Sequence, residues 1–436
     1  MPASQERHLS TSASQTLAER PTRVRYGVIV FAVTLAAVTY IDRVAISWAA
    51  PSIRLELGLT AVQMGWVFAA FNWAYAMFEI PGGYLGDWIG PRKVLMRIVL
   101  WWSTFTAATG WAWSFPSLLG TRFLFGAGEA GCFPNVAKVF TTWLPDRERV
   151  RAQGIMWLSA RWAGAFTPLL VAWVMGLVGW RHAFEIFGCL GVVWAVLFFL
   201  WFRDDPMQNP KLNAAERELL RGSSQMASGH GDVPWGKLVR SPQVWMLCGQ
   251  FFCLNYGWWF YVTWLPTYLR EARHVEIASA AMLSMLPLFC GGLGNPVCVL
   301  LTRVVTRRTG SVAKARRLMG YLGFAGASTF VLVSTTLHNP LFAMLAIGLA
   351  SFSNDLVMPG AWTAAMDVGG KYAGTVSGSM NMVGNVGGAM APIAIGYMLM
   401  WSHNNWNLTF YVSAAVYAMG ILFWAFLDPV TPIESC

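Results

Sequence analysis

The chain has 436 residues, of which 56% are hydrophobic and only 12% are charged, and its formal net charge is +10. Soluble domains average about 25% charged residues, so this composition excludes an ordinary water-soluble protein, a disordered chain and a disulfide scaffold. The 42 Gly and 24 Trp instead indicate membrane helices, because glycine is frequent in such helices and tryptophan gathers at bilayer interfaces.

Twelve segments are long and apolar enough to cross a bilayer, since a helical crossing needs about 20 apolar residues. In chain order they are residues 24–50, 62–86, 93–113, 117–140, 151–177, 180–202, 242–269, 277–303, 316–337, 340–365, 372–401 and 406–427. Backbone amides in hydrocarbon must be bonded within the segment, and these runs are too long for barrel strands. We therefore predict an all-α polytopic membrane protein with twelve transmembrane helices.

The polar stretch 203–241 separates six predicted spans from six others and so predicts two six-helix halves. The expected parts are a cytoplasmic tail 1–23, a six-helix bundle 24–202, a cytoplasmic linker 203–241, a second six-helix bundle 242–427 and a cytoplasmic tail 428–436. The first 23 residues contain no apolar core and no cleavage site, so we do not expect a signal peptide there.

Basic residues predict the orientation of the chain. Most of the 31 Lys and Arg residues lie in the tails, the linker and the loops of one side, and the opposite loops hold four: Arg54, Arg181, Arg270 and Arg273. Cytoplasmic loops carry such an excess, so both termini are expected in the cytoplasm. The lipid bilayer thereby accounts for the positive charge, and no nucleic-acid partner is expected.

A weak internal repeat supports two related halves. Residues 154–168 align without gaps with residues 378–392, and the identities are Gly154/Gly378, Met156/Met380, Gly164/Gly388, Ala165/Ala389 and Pro168/Pro392. The windows lie at the start of the fifth and eleventh predicted spans and run in the same direction, as a duplication of six spans requires. The alignment sets Arg161 opposite Asn385, so we expect both side chains to point into a cavity between the halves.

Ionisable residues lie inside the predicted spans, where each costs about 2.5–3.5 kcal/mol on insertion scales and indicates a functional site. They are Asp42, Arg43, Glu79, Arg122, Glu129, Arg161 and Asp355. Arg122 and Glu129 are seven residues apart and share a helix face with Gly126. A carboxyl group balanced between lost hydration and a neighbouring guanidinium can exchange a proton as the pairing changes. The alternative is a permanent ion pair that holds the fourth span in place.

Asp42 and Arg43 are neighbours in the first span and point about 100° apart, so we expect them to serve different partners. Arg43 offers a fork of donors that suits a carboxylate, and Tyr40 lies near the same face. A structural ion pair is the alternative for both charged residues. For Glu79 we favour a structural, bracing role that supports the next loop. For Asp355 we favour a position at a helix end or facing water.

The loop between the second and third spans reads Gly83-Tyr-Leu-Gly-Asp87-Trp-Ile-Gly90-Pro-Arg92-Lys93. Its glycines permit a tight turn and a close approach of helices, and Asp87 can cap a helix or pair with Arg92. We predict a gating motif composed of Gly83, Asp87, Gly90 and Arg92, which acts as a conformational latch without touching a ligand.

Several of these motifs together resemble the anion:cation symporter family of the major facilitator superfamily. Loop 83–93 is similar to the superfamily's loop 2–3 motif. The strings similar to the symporter family are Tyr40-Ile-Asp42-Arg43, Arg122-Phe-Leu-Phe-Gly126-Ala-Gly128-Glu129-Ala-Gly131-Cys-Phe-Pro134, Trp143-Leu-Pro145-Asp-Arg-Glu148-Arg149 and Trp264-Leu-Pro266-Thr-Tyr268-Leu. The resemblance covers nearly all of residues 24–427 and is nearest to bacterial carriers of D-galactonate, glucarate and hexuronate.

This resemblance implies the major facilitator fold and specific roles for individual residues. The positions of Asp42 and Glu129 match the proton-coupling carboxyl groups of these carriers. The positions that match residues around the substrate are those of Arg43, Tyr75, Trp362 and Asn381.

Three positions depart from the resemblance. Arg161 stands where galactonate carriers have a glutamine, and Glu79 stands at a position usually held by glutamine. Thr302-Arg303 replaces the second-half counterpart of Asp87. An added arginine suits a second carboxylate, so a diacid such as an aldarate is among the expected substrates.

The leading hypothesis is proton-coupled symport of an organic anion, such as a hexonate, an aldarate or a hexuronate, by alternating access. In this hypothesis arginines hold carboxylate, amides take hydroxyl groups, and Asp42 and Glu129 carry protons. The expected substrate-binding residues are Tyr40, Arg43, Tyr75, Arg122, Arg161, Trp362, Asn381 and Asn385. We expect a monomer that needs no cofactor and no metal ion.

Three alternatives remain open from the sequence. An aromatic carboxylate of the phthalate type could stack on Trp73, Tyr75, Tyr256 or Trp362. A phosphate-ester exchanger is disfavoured because the seventh span supplies no arginine for a symmetric cationic clamp. A membrane-embedded enzyme is disfavoured because the chain contains no zincin motif, serine elbow or cofactor fingerprint.

Overall fold

The computed structural model describes residues 20–221, 235–370 and 373–432, and within these ranges it contains helices and no strand. The α-helices are α1 (Gly27–Leu57), α2 (Ala61–Ile89), α3 (Pro91–Thr109), α4 (Phe115–Glu129), α5 (Cys132–Trp143), α6 (Asp146–Trp201), α7 (Ala214–Arg221), α8 (Trp235–Arg240), α9 (Pro242–Thr263), α10 (Leu265–Glu271), α11 (Ile277–Thr309), α12 (Val312–Thr336), α13 (Pro340–Gly369), α14 (Ala373–Trp401) and α15 (Trp406–Phe426). The predicted all-α fold is confirmed.

The predicted spans correspond to α1, α2, α3, α4 with α5, the two parts of α6, α9 with α10, and α11 to α15. By length and composition alone, seven of the described helices can cross a membrane: Val24–Leu57, Arg151–Trp201, Ile277–Thr309, Val312–Thr336, Pro340–Gly369, Thr375–Trp401 and Trp406–Phe426. The second of these contains two predicted spans, joined at Gly179, which has φ +77°. The full count of twelve crossings stays a prediction.

The predicted span 117–140 is divided in the structure. Ala130 leaves helical geometry with ψ 138°, and Gly131 has φ +82°, a left-handed conformation that glycine adopts at little cost. Gly131 lies against the backbone of Gly82 in α2, where a Cβ atom would have no room. The break therefore makes Glu129 the last residue of α4 and places it in the middle of the predicted span.

Gly164 of α6 and Gly388 of α14 occupy equivalent places in the two halves. Gly164 faces Tyr40 of α1 and Leu288 of α11. Gly388 faces Trp259 of α9, and its carbonyl accepts a hydrogen bond from Asn72 of α2. Each glycine thus contacts the first spanning helix of its own half and the second spanning helix of the other half, in agreement with the sequence repeat.

Both ends of the described chain and the described parts of the linker lie on one side of the molecule, which we call the terminal side. Arg25 donates to Glu216 of α7 at 2.9 Å. The amide of Asp428 donates to Gln243, at the start of α9, at 2.8 Å.

Among the described residues, the two halves meet mainly where α2 packs against α14 and α6 against α11, and α1 also contacts α9 and α10. At the end away from the terminal side, Arg54 pairs with Glu271 at 2.8 Å. Close by, Gly65 of α2 packs against the Pro392 carbonyl of α14 so tightly that a Cβ atom there would lie 2.5 Å from the oxygen. The halves are therefore in contact at that end.

Candidate functional site

A buried ion pair joins α1 to the break after α4. Arg43 donates from Nε and Nη2 to one carboxylate oxygen of Glu129, with an Nε–Oε1 distance of 2.7 Å. Glu129 is fully buried, and its second oxygen has no hydrogen-bond partner among the described residues. The Arg43 side chain is 13% exposed, so the guanidinium is the more accessible member of the pair.

Four aromatic rings surround the guanidinium of Arg43. Its Cζ atom lies 5.0 Å from the ring centroid of Phe71, 5.3 Å from that of Tyr75, 5.7 Å from that of Tyr40 and 5.8 Å from that of Phe133. Ring faces attract a cation electrostatically while displacing water from it. The cage therefore holds a poorly hydrated cation, which attracts an anion more strongly than a solvated one.

Asp42 and Arg122 are buried beside this pair. Asp42 is fully buried beside the donor groups of Trp102 and Thr106, neither of which meets its carboxylate oxygens in good hydrogen-bond geometry. Arg122 is 2% exposed, and its guanidinium lies 4.2 Å from the ring centroid of Phe125. The two residues form a second, deeper layer of charge.

The ion pair between Arg122 and Glu129 that the sequence suggested is not the one observed. Arg122 and Glu129 share a helix face, but Arg122 acts on Glu129 only at longer range. Arg43 makes the hydrogen bonds instead, because α4 ends at Glu129 and α1 lies within reach of that end.

A second buried ion pair crosses from one half to the other. Arg161 of α6 donates from Nη2 to Oδ1 of Asp355 in α13 at 3.1 Å. The guanidinium lies 3.6 Å from the ring centroid of Trp258. Asp355 is fully buried in the middle of α13, so the favoured helix-end or water-facing position for this residue is wrong.

A third polar contact between the halves involves half-buried residues. Glu79 of α2 accepts a hydrogen bond from Asn381 of α14 at 2.6 Å. Asn385 donates to the backbone carbonyl of Asn381 at 3.1 Å, and half-buried Trp362 makes an edge contact with Phe251. Glu79 thus contacts the opposite half, and its bracing role beside the loop stays a prediction.

The predicted gating motif is described only in part. Gly90 has φ +92°, and the amide of Arg92 donates to the Asp204 carboxylate at 2.8 Å. The Arg92 guanidinium donates to the carbonyl of Phe199 at 2.6 Å and 3.1 Å. The surroundings of Gly83 and Asp87 lie outside the described residues. Asp204, which the sequence reasoning did not single out, therefore caps the start of α3.

The structure brings Tyr40, Arg43, Tyr75 and Glu129 into one cluster and places Arg161 in the inter-half pair. Trp362, Asn381 and Asn385 belong to the second half. Sequence reasoning missed Phe71 and Phe133 of the cage, and also Trp258. Phe71 precedes Tyr75 by four residues on α2, so their shared helix face was a usable signal. Nothing in the local sequence marks Trp258.

Two helical halves that meet around buried ion pairs define a multi-pass membrane transporter rather than an enzyme. The sequence model of the Major Facilitator Superfamily matches residues 32–392, and the chain belongs to this superfamily.

The chain is similar to two bacterial proteins over nearly its whole length. It is 36% identical to the probable sulfoacetate transporter SauU of Cupriavidus necator, covering 91% of this chain and 92% of that protein. It is 31% identical to the probable galactarate/D-glucarate transporter GarP of Escherichia coli, covering 91% and 93%. These relatives confirm the resemblance to anion:cation symporters that the sequence motifs predicted.

A solved structure shares the fold. A bacterial homologue of the human lysosomal transporter Spinster, in an inward-facing and occupied conformation, superposes with a TM-score of 0.74 at 17% identity, covering 93% of this chain and 97% of that chain. The likeness confirms the major facilitator architecture.

Proposed function

We propose that this protein carries an organic anion together with protons by alternating access, in the plasma membrane of a bacterium, with its terminal side in the cytoplasm. The observation that carries the proposal is the buried pair of Arg43 and Glu129. In this pair an anion-binding guanidinium is held by a carboxyl group that can take up a proton. The names of the bacterial relatives, which are anion transporters, support an anion as the cargo.

Proton uptake by Glu129 releases Arg43 in this proposal. While Glu129 is ionised, one of its oxygens occupies Nε and Nη2 of Arg43, and an incoming anion must compete with it. A protonated carboxyl group is a weaker acceptor, so the guanidinium fork becomes available to a carboxylate or a sulfonate. Binding of the proton and binding of the anion then favour each other, which is the linkage that symport needs.

Asp42 is the second proposed proton carrier. It is fully buried and makes no hydrogen bond within the described ranges. A buried carboxylate without such partners is costly, so its charge depends on the neighbouring Arg122 and Glu129. A change in the pairing of Glu129 therefore changes the protonation of Asp42.

A small acid with hydroxyl groups or a second acidic group is the proposed cargo, such as a hexonate, an aldarate or a hexuronate. Half-buried Asn381 and Asn385 offer amides to hydroxyl groups, and Arg161 offers a second guanidinium. Sulfoacetate, galactarate and D-glucarate, the compounds in the relatives' names, each have two acidic groups. Aromatic acids are less favoured because the rings of the cage already contact Arg43.

Uptake by proteoliposomes tests the proposal. With an inward proton gradient, the purified protein is expected to accumulate at least one of D-glucarate, galactarate and sulfoacetate. A protonophore is expected to abolish accumulation but to leave counterflow, the exchange of labelled for unlabelled acid. Uptake that does not respond to collapse of the gradient would contradict proton coupling. Absence of uptake and counterflow for all three acids would contradict a cargo with two acidic groups.

A further inference from the structure

Asp355 reaches Arg161 through a gap in another helix. Helix α11 packs against both α6, which carries Arg161, and α13, which carries Asp355. Gly291 and Gly294 of α11 face Asp355, and a Cβ atom at Gly291 would lie 3.2 Å from its Oδ2 atom. The carboxylate passes α11 to meet the other half at a place where two residues about one turn apart have no side chain.

The Asp355 carboxylate is also anchored within its own half. Asn354 donates to Oδ1 at 3.1 Å, and Asn295 of α11 lies 3.5 Å from Oδ2. Tyr417 donates to the amide oxygen of Asn354 at 3.2 Å, which turns the amide NH₂ group toward Asp355. These donors all belong to the second half, so Asp355 keeps them when Arg161 moves away.

Arg161 has a donor left over for a ligand. Its side chain is 7% exposed and bonded to Asp355 through Nη2, whereas Nη1 has no hydrogen-bond partner in the part of the chain that the structure describes. Trp258 covers one face of the guanidinium and Nη1 is itself buried, so an anion can reach the in-plane donors only when the halves move apart. In-plane donors of a guanidinium suit the paired oxygens of a carboxylate.

We propose that Asp355 is the internal counter-anion of Arg161: it neutralises the guanidinium in the unloaded carrier, and an anionic group of the substrate takes its place. This inference rests on the proposed function. An unpaired charge in the interior is strongly unfavourable, so the carrier can return without cargo only while Asp355 holds Arg161. In the loaded carrier the substrate neutralises Arg161, and Asp355 retains its amide donors. Asp355 is thus a positioning residue that lowers affinity and permits the empty return.

The substitution Asp355→Asn separates this role from a purely structural one. The probe is whichever of D-glucarate, galactarate and sulfoacetate the wild-type carrier takes up fastest. Without the competing carboxylate, the probe is expected to bind about threefold to tenfold more tightly, because the competent fraction of sites rises. Counterflow avoids the empty return and is expected to stay within about twofold of wild type, whereas net uptake is expected to fall about tenfold.

The double variant Arg161→Gln/Asp355→Asn provides the matched control, because it removes both charges. Its net uptake is expected to recover relative to Asp355→Asn, with binding weaker than in wild type. If Asp355→Asn does not fold, the double variant is measured in its place. Binding of the probe acid as tight as in the wild-type carrier would then overturn the proposal.

The outcomes distinguish this proposal from the proposed function. Affinity that is unchanged or weakened in Asp355→Asn, or a parallel fall of counterflow and net uptake, overturns the role of Asp355 while the wild type still transports. A wild-type carrier that moves none of the three acids overturns the diacid cargo of the proposed function as well.

Discussion

Arg43, which is half-buried, and Arg161, which is buried, are both bonded to a carboxylate, but their partners are placed differently. Glu129 holds Arg43 within the first half, and Asp355 holds Arg161 across the two halves. Removal of one member of a buried ion pair costs about 3–5 kcal/mol, because the other charge is left uncompensated. Each arginine is therefore expected to keep an anionic partner throughout the cycle, either a carboxylate of the chain or one of the substrate.

The substitution Glu129→Gln tests the first of these pairs. Glutamine can accept a hydrogen bond from Arg43 but cannot exchange a proton, so proton-driven accumulation is expected to fall at least about tenfold while counterflow persists. Glu185→Gln is the control, because Glu185 lies in α6 and bonds Trp111 and His182 away from the site. Accumulation that still follows the pH gradient in Glu129→Gln would assign coupling to another group.

At the scale of helices, the break between α4 and α5 decides where Glu129 stands. Gly131 supplies the left-handed conformation and the close approach to Gly82 that the break requires. Glu129 stays on the helix face of Arg122, and a continuous helix over the predicted span would place a further turn beside its carboxylate. The break instead ends α4 at Glu129 and presents the carboxylate to Arg43.

The substitution Gly131→Ala is expected to destabilise the protein by about 2 kcal/mol, from left-handed strain and from contact with the Gly82 backbone. Binding of the acid should weaken as well, because Glu129 is displaced. Gly120→Ala in α4 is the matched control, since a Cβ atom there would meet nothing within 4 Å. Thermal unfolding of the purified variants measures the effect, and equal unfolding temperatures would contradict this account of the break.

At the scale of the whole molecule, Arg25 ties three distant parts of the chain together on the terminal side. It donates to Glu148 near the start of α6 at 3.0 Å and to Glu216 of α7 at 2.9 Å. The hydrogen bond from Arg25 holds the pKa of Glu148 below its ordinary value of 4.5. This network fixes the linker helix to the first half.

The contribution of Glu148 to stability is expected to depend on pH. Its pKa is lower in the folded than in the unfolded protein, so the contribution is complete above the unfolded pKa and is lost as the pH falls through the folded pKa. Glu148→Gln is expected to lower the unfolding temperature at pH 7, and the difference from wild type should vanish in acid. Exposed Glu276 provides the Glu→Gln control, and a difference that persists at low pH would contradict the role of Arg25.

The sequence by itself determined the all-α membrane fold and the superfamily. A chain in hydrocarbon must form its backbone hydrogen bonds internally, so long apolar segments mark the helices, and the motifs mark the superfamily. It also indicated which residues carry charge inside the spans. The domain boundaries and the full set of twelve crossings stay predictions.

The tertiary structure alone decided the partner of each charge. Arg43 and Glu129 are 86 residues apart, and Arg161 and Asp355 are 194 residues apart. Helical periodicity relates residues on one helix, whereas these pairs depend on a break in α4 and on a gap between glycines of α11. The glycines stand in the sequence, but which charges they bring together is decided only when the helices pack.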